Sequence, residues 1–135
     1  MKNSKRNAER WLRDAGRTLE QARKNIAIQE YNVACFLAEQ AAQKSLKAVL
    51  YDDGLRFINM HAIRTLIADV SKKHPTFSQL SERGGILDQY YLSARYPDAV
   101  TEPAIPAEIF IKDQAEEAAR IAQAIFEASR NIVAP

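Results

Sequence analysis

The stretch that decides the fold is EYNVACFLAEQAAQKSLKAVLYDDG, residues 30–54. Its apolar and small residues recur every three or four positions over about seven turns, at 3.6 residues per turn. Asp-Asp-Gly then ends the helix, because Gly54 suits the left-handed conformation that commonly follows a helix end. The pattern predicts a central helix covered by its bundle neighbours. Its broad small-residue face consists of Ala34, Leu37, Ala38, Ala41, Ala42, Ser45, Ala48 and Val49.

Similar helical patterns lie on both sides of this stretch, and no segment alternates with a period of two. Gly84-Gly85 predicts a break or kink within one of them. Pro75 and Pro106 mark a helix end and a helix start, and the proline-rich residues 95–106 form a loop. We predict an all-α fold, an up-and-down four-helix bundle with a short additional helix, in a single domain of residues 1–135. The flanking helical patterns cover residues 7–26, 61–73, 77–94 and 106–133.

Composition sets limits on function. The formal charge is only +2, so nucleic-acid binding would need a local basic stripe rather than a basic chain. The single Cys35 rules out an internal disulfide and favours a reducing compartment. No signal peptide or membrane-length apolar run is visible, so we expect a cytoplasmic protein without membrane partners.

Polar residues are concentrated in the middle of the 30–54 helix. A solvated face is the simpler interpretation, and the wall of a cleft is the alternative. Pairs at i,i+4 spacing can support one another on either kind of surface. These residues are Glu39, Gln40, Gln43, Lys44 and Lys47.

A cationic residue and a titratable residue lie close together before the third helical pattern. Arg56 precedes His61 at the spacing Arg-x4-His, and such a pair could hold a phosphate and move a proton. The simpler interpretation is that His61 caps or packs the short helix. One Cys and two separated His residues give no metal-ligand spacing, and there is no glycine-rich phosphate loop, so we predict neither metal nor cofactor.

The segment YYLSARYPDAVTEP, residues 90–103, places Arg95 among tyrosines and before Asp98. Pro97 fixes the turn, so Arg95 and Asp98 could form an ion pair that clips the loop to the bundle. Alternatively, Arg95 anchors a phosphate in a groove, with Tyr96 as a stacking platform. Residue chemistry alone favours the clip.

Four segments in order resemble the HEPN family, the higher eukaryotes and prokaryotes nucleotide-binding helical domains. They are AERWLRDAGRTLEQARKN, EYNVACFLAEQAAQKSLKAVLYDDG, HAIRTLI and ARYPDA, followed by an alanine-rich last helix. The resemblance covers nearly the whole chain. It implies a helical domain of four to five helices that is often dimeric and often paired with a small nucleotidyltransferase, sometimes as a toxin–antitoxin system.

Many HEPN proteins are metal-independent ribonucleases with an Arg followed, after four to six residues, by His at the start of a late helix. Arg95 occupies the corresponding region here, but no His stands at positions 100–102. Gln43 also replaces an acidic residue that is common in the family. Arg56 and His61 match the spacing but precede the third helix, where the motif does not belong.

We therefore expect a non-catalytic HEPN-type protein that binds a nucleotide, RNA or a protein partner. Its groove would lie between the 30–54 helix and the Arg95 loop. The expected partners are a second copy of the chain and a minimal nucleotidyltransferase. The alternatives are a metal-independent ribonuclease toxin with displaced residues (Arg56, His61 or Arg95), and a purely structural dimerisation module. The expected ligand contacts are Lys44, Lys47, Arg95, Tyr96 and Asp98.

Overall fold

A computed structural model describes residues 2–135, with side chains from residue 3 onward. Three long helices form most of the bundle: α1 (Lys2–Ala27), α2 (Tyr31–Asp52) and α7 (Lys112–Val133). Lys5 of α1 pairs with Asp52 at 3.4 Å and donates to the backbone carbonyl of Val133. The carboxyl ends of α2 and α7 therefore meet the amino end of α1, which runs antiparallel to both.

α2 lies at the centre, as the small-residue face predicts, and none of its residues is fully exposed. Alanines from all three long helices are completely buried, so the helices approach closely around them. Gly54 has a φ of 102° just past the end of α2, and this confirms the predicted glycine stop. The buried alanines include Ala8, Ala15, Ala22, Ala38, Ala41, Ala42, Ala115, Ala118 and Ala122.

Short elements complete the bundle and the connections. The α3 helix (Ile63–Ser71) is followed by a 3₁₀ turn (Pro75–Leu80), α4 (Ser81–Asp88) and α5 (Tyr90–Ser93). A second 3₁₀ turn (Pro97–Ala99) and α6 (Pro106–Ile109) lead into α7. Within the described residues, helices and 3₁₀ turns are the only regular secondary structure and no strand occurs, so the all-α bundle is confirmed.

Two details of the sequence prediction are wrong. Residues 77–94 do not form one helix, and α4 runs unbroken through Gly84 and Gly85. A Cβ on Gly84 would lie 2.7 Å from Ile67 Cδ1 and 2.8 Å from Ile63 Cγ2, so this glycine permits close packing on α3 rather than a kink. The last long helix begins at Lys112, because Phe110 adopts an extended conformation after the short α6.

Candidate functional site

A line of polar side chains runs along α2 and is covered by its neighbours. Glu39, Gln43 and Lys47 are only 0%, 5% and 7% exposed, so the simpler interpretation of a solvated face is wrong for them. Phe36 and Gln40 belong to the same side of the helix and are half-buried. We call Phe36, Glu39, Gln40, Gln43 and Lys47 the α2 stripe.

Glu39 is a buried carboxylate at the middle of this stripe. It accepts hydrogen bonds from Gln40 Nε2 at 2.7 Å and Gln43 Nε2 at 2.5 Å. Burial raises the pKa of Glu39, while the two amide donors and the positive charge of Arg95 oppose that rise. The nearby negative charge of Asp88 acts in the same direction as burial. The stripe therefore carries a proton acceptor that is held in place by two amides.

Lys47 lies between an aromatic ring and an imidazole. Its Nζ is 3.2 Å from His61 Nδ1 and 5.7 Å from the centroid of the Trp11 ring. Because an ammonium can only donate, Nδ1 is the acceptor when Lys47 is protonated. Burial lowers the pKa of Lys47, and the negative charge of Glu39 partly opposes this. Trp11 also packs on Tyr51, with ring centroids 5.4 Å apart.

Arg95 is exposed at the opposite end of the stripe, where its guanidinium lies over three aromatic rings. The distances from Cζ to the ring centroids are 4.5 Å for Phe36, 4.7 Å for Tyr91 and 4.9 Å for Tyr96. Its Nε donates to the Tyr91 carbonyl at 2.8 Å, and the fork has no carboxylate partner among the described residues. Contacts of this kind hold the planar guanidinium in place, where its N–H groups can bind a carboxylate or a phosphate.

The ion pair expected between Arg95 and Asp98 is absent from the described part of the chain. Asp98 instead lines a separate groove with Ser93 and Gln114, near the start of α7. The structure therefore brings Tyr96 to Arg95 but does not bring Asp98 there.

Lys44, Arg56 and His61, which the sequence also marked as candidates, lie in three different places. Lys44 pairs with Asp14 at 3.0 Å and donates to Thr18 at 2.9 Å, so it ties α2 to α1. Arg56 lines a groove with Tyr51 and makes no hydrogen bond to His61. The Arg-x4-His spacing therefore does not become a paired site, whereas His61 and Lys47 do come together.

An open groove of about 540 Å³ adjoins the Trp11 end of the stripe. It is lined by Arg10, Trp11, Arg13, Asp14 and Lys44. Trp11 thus belongs both to this basic groove and to the surroundings of Lys47. In the sequence, Trp11 lies in the helical pattern of residues 7–26, where its arginine neighbours in ERWLR are a signal of mixed chemistry.

The two cationic ends of the stripe are far apart. Phe36, which contacts Arg95, and Lys47 are eleven residues apart on α2, which corresponds to about 16 Å along the helix axis. One phosphate cannot bridge that distance. A ligand that contacts both ends must therefore carry at least two separated anionic groups.

Other kinds of site find no support in the described residues. Residues 2–135 contain no cluster of His, Cys, Asp and Glu able to hold a metal ion. The second histidine, His74, places Nε2 at 3.0 Å from Asp53 Oδ1 and so joins the ends of α3 and α2. Among the helices described, none has the length and apolar character needed to cross a membrane.

The fold and the site define a helical-bundle protein with a partly buried polar stripe between two cationic ends. The family model of the HEPN domain matches residues 8–132, so the chain belongs to the HEPN domain family, as its sequence resemblance predicts. No curated protein matches the chain.

Two solved structures are similar over nearly their whole length. The crystal structure of TT1696 from Thermus thermophilus is 33% identical with a TM-score of 0.87. The structure of ST0689, an archaeal HEPN homologue, is 30% identical with a TM-score of 0.74. Each comparison covers 93% of this chain and 97% of the other.

Proposed function

We propose that this protein is a non-catalytic HEPN-type binding protein whose ligand is RNA or a nucleotide held at the exposed Arg95 end of the α2 stripe. The observation that carries the proposal is the exposed Arg95 fork, held over three rings with no carboxylate partner within residues 3–135. Lys47 supplies positive charge at the other end, and Lys44 stands at the edge of the adjoining groove.

The chemistry of Arg95 fits a phosphate better than a general acid or base. A guanidinium presents several N–H donors in one plane, which suits the oxygens of a phosphate. Tyr96 is 49% exposed and offers a ring face on which a base can stack. Within residues 3–135 the two imidazoles lie elsewhere, His61 at Lys47 and His74 at Asp53, and a guanidinium is a poor general acid or base. This combination supports the proposal of binding without cleavage.

The test compares Arg95→Ala with Arg120→Ala, an exposed control on α7, by anisotropy titration of labelled RNA and by AMP titration in EDTA. We expect Arg95→Ala to weaken binding about tenfold or more, a loss of about 1.4 kcal/mol. Circular dichroism establishes that both variants are folded. Equal affinities of the two variants would contradict the proposal, and no binding by the wild type would favour the dimerisation module.

A second candidate function is a metal-independent ribonuclease at His61 and Lys47. The observation that favours it is the 3.2 Å contact between His61 Nδ1 and Lys47 Nζ, since RNA cleavage needs a proton acceptor and a proton donor. Incubation of RNA in EDTA with wild type and His61→Ala distinguishes the two functions. Cleavage that disappears in His61→Ala would replace the binding function with this one, whereas intact RNA in both samples supports binding.

We also propose that the protein works as a homodimer and with a minimal nucleotidyltransferase, as its family membership suggests. Exposed isoleucines between α6 and α7 support a protein contact, since Ile105, Ile109 and Ile111 are 48%, 45% and 55% exposed. Light scattering after gel filtration measures the mass in solution. A mass of one chain at about 100 μM would contradict the homodimer, and failure to co-purify with a co-expressed nucleotidyltransferase would contradict that partnership.

A further inference from the structure

Four arginines form a ridge along the exposed side of α1. Their spacing of four, three and four residues places them on one side of the helix, and all four are exposed or nearly so. The distance from the first to the last is about 16 Å at 1.5 Å per residue. The arginine ridge consists of Arg6, Arg10, Arg13 and Arg17.

Most of this ridge is available for an external anion. Arg6, Arg10 and Arg13 have no ion pair within residues 3–135, whereas Arg17 pairs with Glu20 at 3.0 Å. The neighbouring Asp14 already pairs with Lys44, and Glu9 lines a shallow groove beside Arg10 and Arg13. The ridge therefore presents net positive charge in spite of the acidic residues on α1.

A groove with an aromatic side chain lies on each side of the ridge. On the α2 side, Trp11 lines the groove of about 540 Å³ that contains Lys44. On the α7 side, Phe126 lines a groove of about 560 Å³, and Arg130 Cζ lies 5.6 Å from the centroid of its ring. Arg13 lines both grooves and so stands between the two aromatic side chains.

We propose that a single strand of RNA crosses the arginine ridge, with phosphates on the arginines and bases against Trp11 and Phe126. This inference rests on the proposed function, because Trp11 joins the ridge groove to Lys47 of the α2 stripe. It narrows the ligand class from any nucleotide to an oligonucleotide, which is long enough to contact the exposed Arg95 end of the stripe and the ridge together.

The combination of charge and aromatic side chains favours a single strand over other polyanions. Unstacked bases have free ring faces and stack on aromatic side chains, whereas bases of a duplex are already stacked on each other. An acidic polypeptide would satisfy the arginines but would bring no bases to the two grooves. Single-stranded RNA uses both features.

The test measures anisotropy of labelled oligouridylates of about 4 and about 16 nucleotides, lengths that bracket ordinary single-strand sites. Wild type is compared with the ridge variant Arg10→Gln/Arg13→Gln and with a control that removes the same charge elsewhere. The control is Arg83→Gln/Arg120→Gln, whose exposed residues line neither groove.

Arg95→Ala serves as the probe of the α2 stripe. Fluorescence of Trp11, the only tryptophan, reports occupancy of the first groove.

We expect the ridge variant to bind the long RNA at least tenfold more weakly than the control variant, with little change for the short RNA. The slope of log K against log salt should become shallower by about 1.4, at about 0.7 for each lost phosphate contact. Arg95→Ala should weaken the binding of both lengths, and the long RNA should change the emission of Trp11.

Equal affinity of the ridge and control variants for the long RNA would contradict RNA binding at the arginine ridge. If Arg95→Ala still weakens RNA binding in that case, the proposed function stands. The reverse result, weaker RNA binding in the ridge variant alone, would support RNA binding at the arginine ridge and contradict the role of Arg95 in the proposed function. Polyglutamate that competes as well as RNA of equal charge would assign the ridge to acidic polypeptides. Absence of RNA binding by the wild type would overturn both.

Discussion

The carboxylate of Asp88 caps the start of α3, where its Oδ1 accepts a hydrogen bond from the backbone N–H of Ile63 at 2.6 Å. Its Oδ2 accepts from the next amide, that of Arg64, at 3.2 Å. Ala62 at the N-cap position has no side chain able to do this. A residue of α4 therefore supplies the cap of α3, and it fixes the junction that holds His61 beside Lys47.

Removal of this cap should destabilise the protein. Asp88→Ala leaves two amides without an acceptor and removes a negative charge from the positive end of the helix dipole. We expect the free energy of unfolding to fall by about 1–2 kcal/mol, measured by urea denaturation. Asp88→Asn, which keeps an acceptor oxygen, should lose less. Equal losses in the two variants would show that the cap is not the cause.

Close packing of α4 on α3 should make Gly84 intolerant of a side chain. A Cβ would collide with Ile63 and Ile67, which are 0% and 1% exposed and have no room to move. We expect Gly84→Ala to lower the free energy of unfolding by about 1–3 kcal/mol, as overpacking of a core does. This loss should exceed the gain of about 1 kcal/mol from the better helix propensity of Ala.

Gly85→Ala is the matched control on the same helix. The atoms that a Cβ would meet there belong to the side chain of Arg64, which is exposed and can move away. We expect this variant to be at least as stable as the wild type in the same urea experiment. A loss at Gly85 as large as that at Gly84 would mean that both glycines are needed for the helix backbone rather than for packing.

The long helices could be predicted from sequence because each buries a face whose period is visible in the chain. Prolines marked the breaks near Pro75 and between residues 95 and 106, but the breaks at Gln89 and Phe110 could not be placed, because they depend on tertiary contacts. Gly84, for example, resembles a helix breaker until Ile63 and Ile67 are packed against it. In the same way, the polar side of α2 resembles a solvated face until its neighbours cover Glu39 and Gln43.

The chemistry of the site was visible in sequence only where it is local. Arg95 and Tyr96 are chain neighbours, and both were assigned to one candidate site, although the ion pair favoured there, between Arg95 and Asp98, is absent from the described residues. Lys47 and His61 are 14 residues apart, and nothing in their spacing indicates that one side chain reaches the other. The aromatic partners of Arg95 show the same difference, because Phe36 comes from a helix that is distant in sequence.

The single cysteine should be unreactive in the folded protein. Cys35 is completely buried, and burial raises the pKa of its thiol to about 12. At pH 8 the thiolate fraction is then about 10⁻⁴, which suppresses attack on a disulfide reagent even before access is considered. We expect almost no labelling by Ellman's reagent in buffer and one thiol per chain in urea. Rapid labelling of the native protein would contradict this burial.

The buried carboxylate of Glu39 should make stability depend on pH in a direction that can be assigned. Burial raises the pKa of Glu39 in the folded chain above its ordinary value of 4.5. As pH falls, the folded protein therefore takes up a proton before the unfolded chain does. The resulting stabilisation is complete below about pH 4.5 and is lost as pH rises through the folded-state pKa.

Glu39→Gln removes this titration while keeping the size of the side chain. We expect the wild type to gain stability relative to the variant as pH is lowered from about 7 to about 5, by an amount that urea midpoints at each pH measure directly. All other titrating groups are shared, so their contributions largely cancel in the difference. Glu102→Gln, a change in an exposed loop, controls for the loss of one carboxylate. If the difference in unfolding free energy between the wild type and Glu39→Gln does not change with pH, the surroundings of Glu39 do not disfavour the charged form of its side chain.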